Sequence, residues 1–426
     1  MNIAQIHSLF LNCHSVCTDT RTLESNSMFF ALKGDNFNGN IYAEKALDAG
    51  AKYAIVDEAS ANTSEQTILV DNVLDTLQEL ASFHRNYLKT PIIALTGSNG
   101  KTTTKELINA VLSQKYKTTA TVGNLNNHIG VPLTLLSMTD KTEIGIVEMG
   151  ANHLKEIEFS CSIAKPDYGY ITNFGKAHLE GFGGVEGVIK GKSEMYDFLS
   201  KHHNTIFVNN NDPIQVEKTK DHTHFSFGNL THKNDVTVNF LNAQPFVKSE
   251  YKGLEINSNL IGDYNFNNIA AAITIGNYFK VDDAAIKKAI EGYVPSNNRS
   301  QIINKGSNKI ILDAYNANPT SMQAALLNFE KQTGPKTAIL GDMFELGSEA
   351  KAEHQNIVDL ATKLDIDYIS FLGENFHQAQ LTSEKTKSYA SFEDFKSENA
   401  LSTLENATLL IKGSRGMALE RVLDLL

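Results

Sequence analysis

The residues best suited to chemistry form one short run, Thr96-Gly-Ser-Asn-Gly-Lys-Thr-Thr103. Gly97 and Gly100 allow backbone N–H groups to turn towards an anion, and the start of a following helix adds partial positive charge. The Lys101 ammonium can reach the β- and γ-phosphates of a nucleotide, and the Thr102 hydroxyl is a ligand for Mg²⁺. This spacing predicts a nucleoside triphosphate site.

The flanking residues predict the strand and the helix that such a loop needs. An apolar run from Pro91 to Leu95 is typical of a buried strand. Further along, Leu107, Ile108 and Val111 recur on one face of a helix. The usual first glycine of the phosphate-loop pattern would fall at Leu95, so the match is incomplete. An ordinary glycine turn that opens a helix is the alternative interpretation.

Two further polar residues follow predicted strands of the same region. The strand at 144–147 ends at Glu148, and the strand at 168–172 leads to His178. Because ligands bind at the carboxyl edge of a parallel sheet, both side chains are expected near the phosphate loop. Glu148 and Thr102 together offer the oxygen ligands that a hard cation prefers. A structural histidine is the alternative for His178, and the asparagine-rich stretch at 121–132 is either a plain loop or part of the site.

A predicted helix from Val185 to Leu199 carries Lys190 and Lys192. Lysines on a helix are usually solvated, and the periodicity here predicts nothing else. From the residues alone, neither lysine is a candidate for the site.

Composition limits the possible functions. A chain of 426 residues with 41% hydrophobic content corresponds to roughly three domains. A net charge of −11 argues against a nucleic-acid partner and requires positive charge to be local, as at Lys101 and Arg299. No apolar run is long enough to insert into a membrane, and the first residues lack the basic start of a signal peptide. Three cysteines form no disulfide framework, so a cytoplasmic protein is expected.

The order of predicted elements divides the chain into residues 1–88, 89–297 and 298–426. In the first unit, strands at 28–32 and 53–57 flank a turn-rich loop at 35–40, which is either a ligand loop or a plain surface turn. The second unit alternates strands and helices, which predicts a mainly parallel sheet, with an antiparallel edge or lobe from about 223 to 261.

The third unit again alternates strands and helices but has no phosphate loop, so it is expected to supply a substrate site or a lid. Its predicted strands lie near 309–313, 337–341, 368–372 and 408–412. Its predicted helices lie near 319–331, 349–364, 391–399 and 416–425.

Several longer motifs together resemble those of the Mur ligase family, the ATP-dependent amide-forming enzymes of bacterial peptidoglycan synthesis. That family's phosphate loop also lacks the early glycine. The resemblance implies an α/β fold of three domains, in which a central phosphate-loop domain with a parallel sheet is flanked by an N-terminal UDP-sugar-binding domain and a C-terminal Rossmann-like domain. Besides the phosphate loop, the motifs are Gly123-Asn-Leu-Asn-Asn-His-Ile-Gly-Val-Pro-Leu133, Val147-Glu-Met-Gly150, Asp313-Ala-Tyr-Asn-Ala-Asn-Pro319, Leu340-Gly-Asp-Met-Phe-Glu-Leu-Gly347 and Lys412-Gly-Ser-Arg-Gly-Met417.

The resemblance also implies roles for individual residues. The catalytic residues would be Lys101, Glu148, His178 and Lys192. The metal ligands for Mg²⁺ would be Thr102, Glu148, His178 and Lys192, the last as a carbamate. ATP would be bound by Gly97, Ser98, Asn99, Gly100, Lys101, Thr102, Thr103, Arg299, Asp313, Tyr315 and Asn316. The other substrates would be bound by Thr20, Arg21, Lys33, Gly34, Asn126, Asn127, Lys412, Ser414 and Arg415.

Within the family, these five motifs are most similar to those of the ligases that join D-alanyl-D-alanine to UDP-N-acetylmuramoyl-tripeptide. The blocks Gly341-Asp-Met343 and Lys412-Gly-Ser-Arg-Gly-Met417 distinguish that ligase type better than the phosphate loop does. The implied reaction passes through an acyl phosphate, and the implied protein is a monomer. A folylpolyglutamate-synthase-type ligase and a phosphate-loop switch that makes no bond are the alternatives. The chain departs from the family at Asn38-Gly39-Asn40, which leaves the sugar contacts open, and at Gly262-Asp263-Tyr264-Asn265, to which no role is assigned.

Overall fold

The computed structural model describes residues 1–231, 233–398 and 401–426. In its N-terminal part, a parallel sheet has the order β1-β2-β5-β6, while β3 and β4 pair separately. The bounds are α1 Ile3–Phe10, β1 Val16–Cys17, β2 Met28–Phe30, β3 Lys33–Gly34, β4 Phe37–Asn38, α2 Ala43–Asp48, β5 Tyr53–Val56, β6 Thr67–Leu69 and α3 Val73–Leu88. The predicted strand at 28–32 ends early because the Leu32 amide turns back to the Phe30 carbonyl at 2.9 Å.

The central part is built on a larger sheet with the order β15-β14-β13-β12-β11-β10-β7-β9-β8. Its first elements are β7 Ile92–Thr96, α4 Lys101–Leu112, β8 Thr118–Ala120, α5 Gly130–Leu136, β9 Ile144–Glu148, α6 Glu156–Ala164, β10 Tyr168–Ile171, α7 Leu179–Phe182 and α8 Val185–Lys201. The later ones are β11 Thr205–Asn209, α9 Pro213–Thr219, β12 His224–Gly228, β13 Val236–Asn242, β14 Lys248–Tyr251, β15 Leu254–Asn257, α10 Asn265–Tyr278 and α11 Asp283–Gly292.

The register of this sheet brings the predicted site residues to one edge. Strand β7 pairs in parallel with β9 on one side and with β10 on the other. Leu95 is opposite Glu148, and Thr96 is opposite Ile171. The phosphate loop therefore leaves the sheet between Glu148 and the chain that leads to His178, as expected for the carboxyl edge of a parallel sheet.

The antiparallel region predicted from 223 to 261 is confirmed only in its second half. Strands β13, β14 and β15 pair antiparallel. Strand β12 instead runs parallel to both β11 and β13 and extends the main sheet. Helix α9 lies between β11 and β12, which gives the chain the crossover that parallel strands need.

The third part has a sheet with the order β16-β17-β21-β18-β19-β20. Its bounds are β16 Gln301–Lys305, β17 Asn308–Asp313, α12 Pro319–Phe329, β18 Lys336–Gly341, α13 Ala350–Lys363, β19 Tyr368–Leu372, α14 Glu374–His377, β20 Thr386–Tyr389, α15 Phe392–Glu398 and β21 Thr408–Lys412. The edge strands β16 and β20 were not predicted. The other strands agree with prediction to within a residue.

The helix predictions in the third part need one correction. The predicted α-helix at 416–425 is wrong, because the chain forms 3₁₀ turns at Arg415–Met417 and Leu419–Leu425. Between them, Ala418 has a left-handed φ of 48°, which no α-helix continues. The end of the helix predicted at 391–399 falls on residue 399, outside the described residues. No helix in the described part of the chain is long and apolar enough to cross a membrane.

Helix α4, which begins at the phosphate loop, packs its apolar face against α10. Leu107, Ile108 and Val111 are fully buried in one cluster with Ile273. A β-carbon at Gly276 would lie 2.4 Å from Val111, so the glycine allows the two helices to approach closely. The predicted helical face is therefore confirmed, and it holds the phosphate loop against the sheet.

Candidate functional site

The phosphate loop depends on two glycines with positive φ. Gly97 has φ 144° and Gly100 has φ 79°. A β-carbon on Gly97 would lie 1.9 Å from the Thr172 hydroxyl, and one on Gly100 would lie 2.6 Å from the Asn268 side chain. Both positions are therefore closed to other residues by backbone conformation and by space.

Lys101, the first residue of α4, folds over this loop. Its Nζ donates to the Gly97 carbonyl at 2.8 Å. Burial lowers the pKa of Lys101, the Glu148 carboxylate raises it, and the nearby Arg299 lowers it. Burial disfavours the positive charge of Lys101, and an incoming phosphate would favour it again while accepting from the ammonium, so the position is suited to a phosphate ligand.

Thr102 and Glu148 form a buried pair behind the loop. The Thr102 hydroxyl lies 3.0 Å from Glu148 Oε2, and Asn126 Nδ2 donates to Glu148 Oε1 at 2.8 Å. The Glu148 amide donates to the Thr121 hydroxyl at 3.0 Å, which fixes the end of β9. One carboxylate and one hydroxyl, both 1% exposed, are the oxygen donors that Mg²⁺ prefers, so the pair fits this cation.

His178 and Lys192 occupy different positions relative to the cavity. His178 lines the cavity, and its Nδ1 lies 2.5 Å from Glu345 of the third part. Lys192 on α8 is 1% exposed and lies behind the wall, with its Nζ 5.3 Å from the ring centre of Phe182. Burial lowers the pKa of Lys192 well below its usual value, and the charge of Lys101 lowers it further.

No group of three or more histidine, cysteine, aspartate or glutamate side chains is poised for a metal anywhere in residues 1–231, 233–398 and 401–426. Lys192 in its unmodified form also has no ion pair with a described residue. A second metal site at His178 therefore needs a further anionic ligand. A carbamate on Lys192 would be an anion of this kind.

The third part supplies a stacked cation to the same cavity. The Arg299 guanidinium lies 3.6 Å from the ring centre of Tyr315, and its Nε is buried without a hydrogen-bond partner among the described residues. Beside it, Asp313 pairs with Lys412 at 2.6 Å and accepts from the Ser300 amide at 3.0 Å. The guanidinium is therefore oriented, and one of its donors is left for a ligand.

The phosphate loop and the third part are joined by a direct hydrogen bond. Asn318 Nδ2 donates to Asn99 Oδ1 at 2.7 Å. Asn99 Nδ2 is buried without a partner in the described residues. Asn99 Nδ2 and Arg299 Nε are thus two unsatisfied donors of residues that line the cavity. An anionic nucleotide in the cavity would accept from both. The site therefore fits a nucleoside triphosphate.

All three parts line one cavity of about 1100 Å³. The N-terminal part contributes Leu74, Asp75 and Gln78 from α3. The predicted site residues that line it are Ser98, Asn99, Gly100, Lys101, Thr103, Asn126, Asn127, Glu148, His178, Arg299, Asp313, Tyr315, Asn316 and Lys412.

The other predicted site residues do not line this cavity. Gly97, Thr102 and Lys192 lie just behind it. Arg21 is exposed and pairs with Asp19 at 2.6 Å, and Lys33 pairs with Asp57 at 2.9 Å, so these two lie with Thr20 and Gly34 in the N-terminal part. In the third part, Ser414 is buried and Arg415 is exposed and pairs with Glu420.

The prediction missed several polar residues that line the cavity. Asn268 lies on α10, where its Oδ1 accepts from Thr104 of α4 at 3.0 Å. Tyr264 bonds to Ser300 at 2.9 Å across the junction of the central and third parts. Asparagines three residues apart at the start of α10 were visible in the sequence, but nothing local indicated their target. The missed residues are Tyr264, Asn265, Asn268, Asn318, Thr320 and Ser321.

Comparison with known proteins finds similar proteins for all three parts of the chain. Family models match at 12–85 (Mur ligase family, catalytic domain), at 95–276 (Mur ligase middle domain) and at 298–415 (Mur ligase, glutamate ligase domain). The UDP-N-acetylmuramoyl-tripeptide–D-alanyl-D-alanine ligase of Bacillus subtilis is 35% identical over 96% of this chain and 92% of its own length. The enzyme of the same name from Escherichia coli is 32% identical over 96% and 92%.

Solved structures agree with these sequence relatives. The crystal structure of MurF from Acinetobacter baumannii has a TM-score of 0.88 at 29% identity and covers 100% of this chain and 98% of that chain. The MurF ligase of Thermotoga maritima in complex with ADP has a TM-score of 0.83 at 26% identity and covers 98% and 97%. Since full-length relatives exceed 30% identity and the family models match in all three parts, this chain belongs to the Mur ligase family.

Proposed function

We propose that this chain is an ATP-dependent ligase that joins D-alanyl-D-alanine to UDP-N-acetylmuramoyl-tripeptide, giving UDP-N-acetylmuramoyl-pentapeptide, ADP and phosphate in peptidoglycan synthesis. The observation that carries the proposal is the single cavity of about 1100 Å³ lined by all three parts of the chain. A reaction that brings together a nucleotide, a carboxylate and an amine needs such a shared chamber. The names of the full-length relatives support the same substrates.

Each part of the chain has its own task in this proposal. Residues 1–88 hold the UDP-sugar, residues 89–297 hold ATP, and residues 298–426 close over both. In the first part, Arg21 and Lys33 are paired with carboxylates, and a diphosphate would compete for these cations. Since one chain supplies every part of the cavity wall, we expect a monomer to be active. ATP and UDP-linked precursors are cytoplasmic metabolites, which supports the cytoplasm as the location.

In the first step, the tripeptide carboxylate attacks the γ-phosphorus of ATP and the bond to the β-phosphate oxygen breaks. The products are an acyl phosphate and ADP. Both reactants are anions, so the barrier falls when cations are held in place before they meet. Lys101 and Arg299 supply such charge from two sides of the cavity, while the Gly97–Gly100 backbone orients the phosphates.

In the second step, the amine of D-alanyl-D-alanine attacks the acyl carbon. The tetrahedral intermediate then loses phosphate, and the amine proton leaves with the products or to solvent. The acyl phosphate is sensitive to water, so the walls supplied by the third part protect it. The Asn99–Asn318 bond holds that wall against the phosphate loop.

Thr102 and Glu148 are the proposed ligands of one Mg²⁺, and His178 with carbamylated Lys192 of a second. When bound, Mg²⁺ neutralises phosphate charge in the transition state. Lys192 fits the carbamate role because only a neutral amine adds to CO₂, with loss of one proton. Burial, which lowers the pKa of Lys192, favours that neutral form.

The test is phosphate release from ATP and Mg²⁺ with UDP-N-acetylmuramoyl-tripeptide, with and without D-alanyl-D-alanine. We expect release to require both substrates and a UDP-pentapeptide to be detected by mass spectrometry. Lys101→Met should abolish release, whereas Lys141→Met, at an exposed position away from the cavity, should leave it unchanged. Release that depends on a folate, or on no amine, would refute the proposal.

A further inference from the structure

Glu345, in the third part, contacts the proposed metal ligand His178 in the central part. Its Oε2 lies 2.5 Å from His178 Nδ1, a close polar contact whose alignment is not that of a hydrogen bond. The main chain meets the same loop, because the Glu180 amide donates to the Glu345 carbonyl at 3.3 Å. Both the side chain and the backbone of Glu345 thus reach across the junction between the two parts.

The backbone at this contact is held in an unusual conformation on both sides. His178 has φ 53° and Glu345 has φ 61°, in the left-handed region that residues other than glycine seldom adopt. Gly347, with φ 55°, lies beside Glu180, and a β-carbon there would be 3.2 Å from that side chain. Strained residues of this kind persist where the surroundings impose them, and they concentrate at functional sites.

We propose that Glu345 is a positioning residue that orients His178 for metal binding, a role that rests on the proposed function. A carboxylate in close contact with one ring nitrogen restricts the orientation of an imidazole, so that the other nitrogen, here Nε2, is left for the metal. Because Glu345 belongs to the third part, it reaches His178 only when that part is docked on the central part. Docking and completion of the His178 metal site are then one event.

The same interface contains an ion pair between other residues, which allows the effect of docking to be tested apart from the effect of the Glu345 contact. Lys176 Nζ lies 2.5 Å from Glu353 Oε1, and the Lys176 amide donates to the Thr320 hydroxyl at 3.0 Å. This pair joins the same two parts two residues away from His178 but does not contact the imidazole. Loss of the Glu353 pair therefore weakens docking without removing the carboxylate that contacts the imidazole.

The experiment is a Mn²⁺ titration followed by electron paramagnetic resonance, with a non-hydrolysable ATP analogue bound. In Glu345→Ala we expect the affinity of the second Mn²⁺ to fall 10- to 100-fold, the range known for groups that orient metal ligands. Glu345→Gln should show a similar loss of affinity, because the amide keeps the length of the side chain but not its negative charge. Glu349→Gln is the matched control, since Glu349 is an exposed acid on the same segment.

Two further variants decide what a different result means. If His178→Ala loses the second Mn²⁺ while Glu345→Ala and Glu345→Gln keep it at wild-type affinity, the positioning role is refuted and the metal assignment stands. If His178→Ala itself keeps both ions, the metal assignment fails and the role of Glu345 fails with it. If Glu353→Gln loses more Mn²⁺ affinity than Glu345→Ala, docking acts on the metal site through something other than the Glu345 contact, and positioning by Glu345 is refuted. Far-ultraviolet circular dichroism checks that each variant is folded.

Discussion

Replacing Lys192 with methionine is expected to stabilise the protein while abolishing its activity. The Lys192 side chain is 1% exposed, and its amine has no carboxylate partner among the described residues. Its Nζ lies 5.3 Å from the centre of the Phe182 ring. Methionine has a similar length and needs no hydration, so it removes the cost of burying an amine. Activity is lost because methionine cannot carry a carbamate.

The size and sign of this effect follow from proton binding. Burial lowers the pKa of Lys192 well below its ordinary value of 10.5, so between these two values the unfolded chain binds a proton that the folded chain does not. Wild-type stability then rises with pH by about 1.4 kcal/mol per pH unit in that window. Methionine removes this cost, which grows by about 1.4 kcal/mol for each pH unit below 10.5 within the window, and the lost ring contact offsets at most about 2 kcal/mol.

The assay is urea unfolding followed by circular dichroism at pH 7 and pH 9 in buffer freed of CO₂. Lys192→Met should exceed the wild type in stability at pH 7, and the difference should shrink at pH 9. Lys190→Met, on the exposed face of the same helix, is the matched control and should show neither effect. A methionine variant that is less stable than the wild type at pH 7, or a difference independent of pH, would refute the reasoning.

Three other perturbations test separate parts of the structure. Gly100→Ala places a β-carbon 2.6 Å from the buried Asn268 amide, at a residue whose backbone is in the left-handed region. ADP affinity measured by calorimetry should therefore fall at least tenfold, and the free energy of unfolding should fall by about 1–3 kcal/mol. Thr102→Val removes the hydroxyl 3.0 Å from buried Glu148, so phosphate release should fall about 100-fold at unchanged secondary structure. Burial lowers the pKa of His7 and His84, so as the pH falls the unfolded chain binds protons at a higher pH than the folded chain does. The free energy of unfolding, measured in urea, should therefore fall between pH 7 and pH 5, and it should fall less steeply in His7→Phe.

Local sequence was sufficient for the phosphate loop and for the sheet around it. Glycines at fixed spacing, a lysine and a threonine act through contacts within a few residues, so Gly97 to Thr102 could be identified without a fold. The strand ending at Glu148 was also predictable, because a parallel sheet brings all carboxyl ends to one edge. Edge strands such as Thr386–Tyr389 were missed, since their pairing with a neighbouring strand is what defines them.

Lys192 shows where local reasoning fails. On its helix the residue is one of two lysines, and periodicity assigns it to solvent as readily as Lys190. In the folded chain Lys192 is buried while Lys190 is exposed, because helix α8 packs on α6 and α7. Only the family resemblance drew attention to Lys192, and its burial, with the nearby charge of Lys101, gives the physical reason for a lowered pKa.

The sequence by itself determined the chemistry of the phosphate loop, the parallel sheet and the membership of the chain in its family. Tertiary structure decided how the three parts meet, because contacts such as Asn99 with Asn318 and His178 with Glu345 join residues more than 150 positions apart. No local pattern encodes such pairs. They form when separate sheets, each folded by its own periodicity, bring polar loop residues together around one cavity.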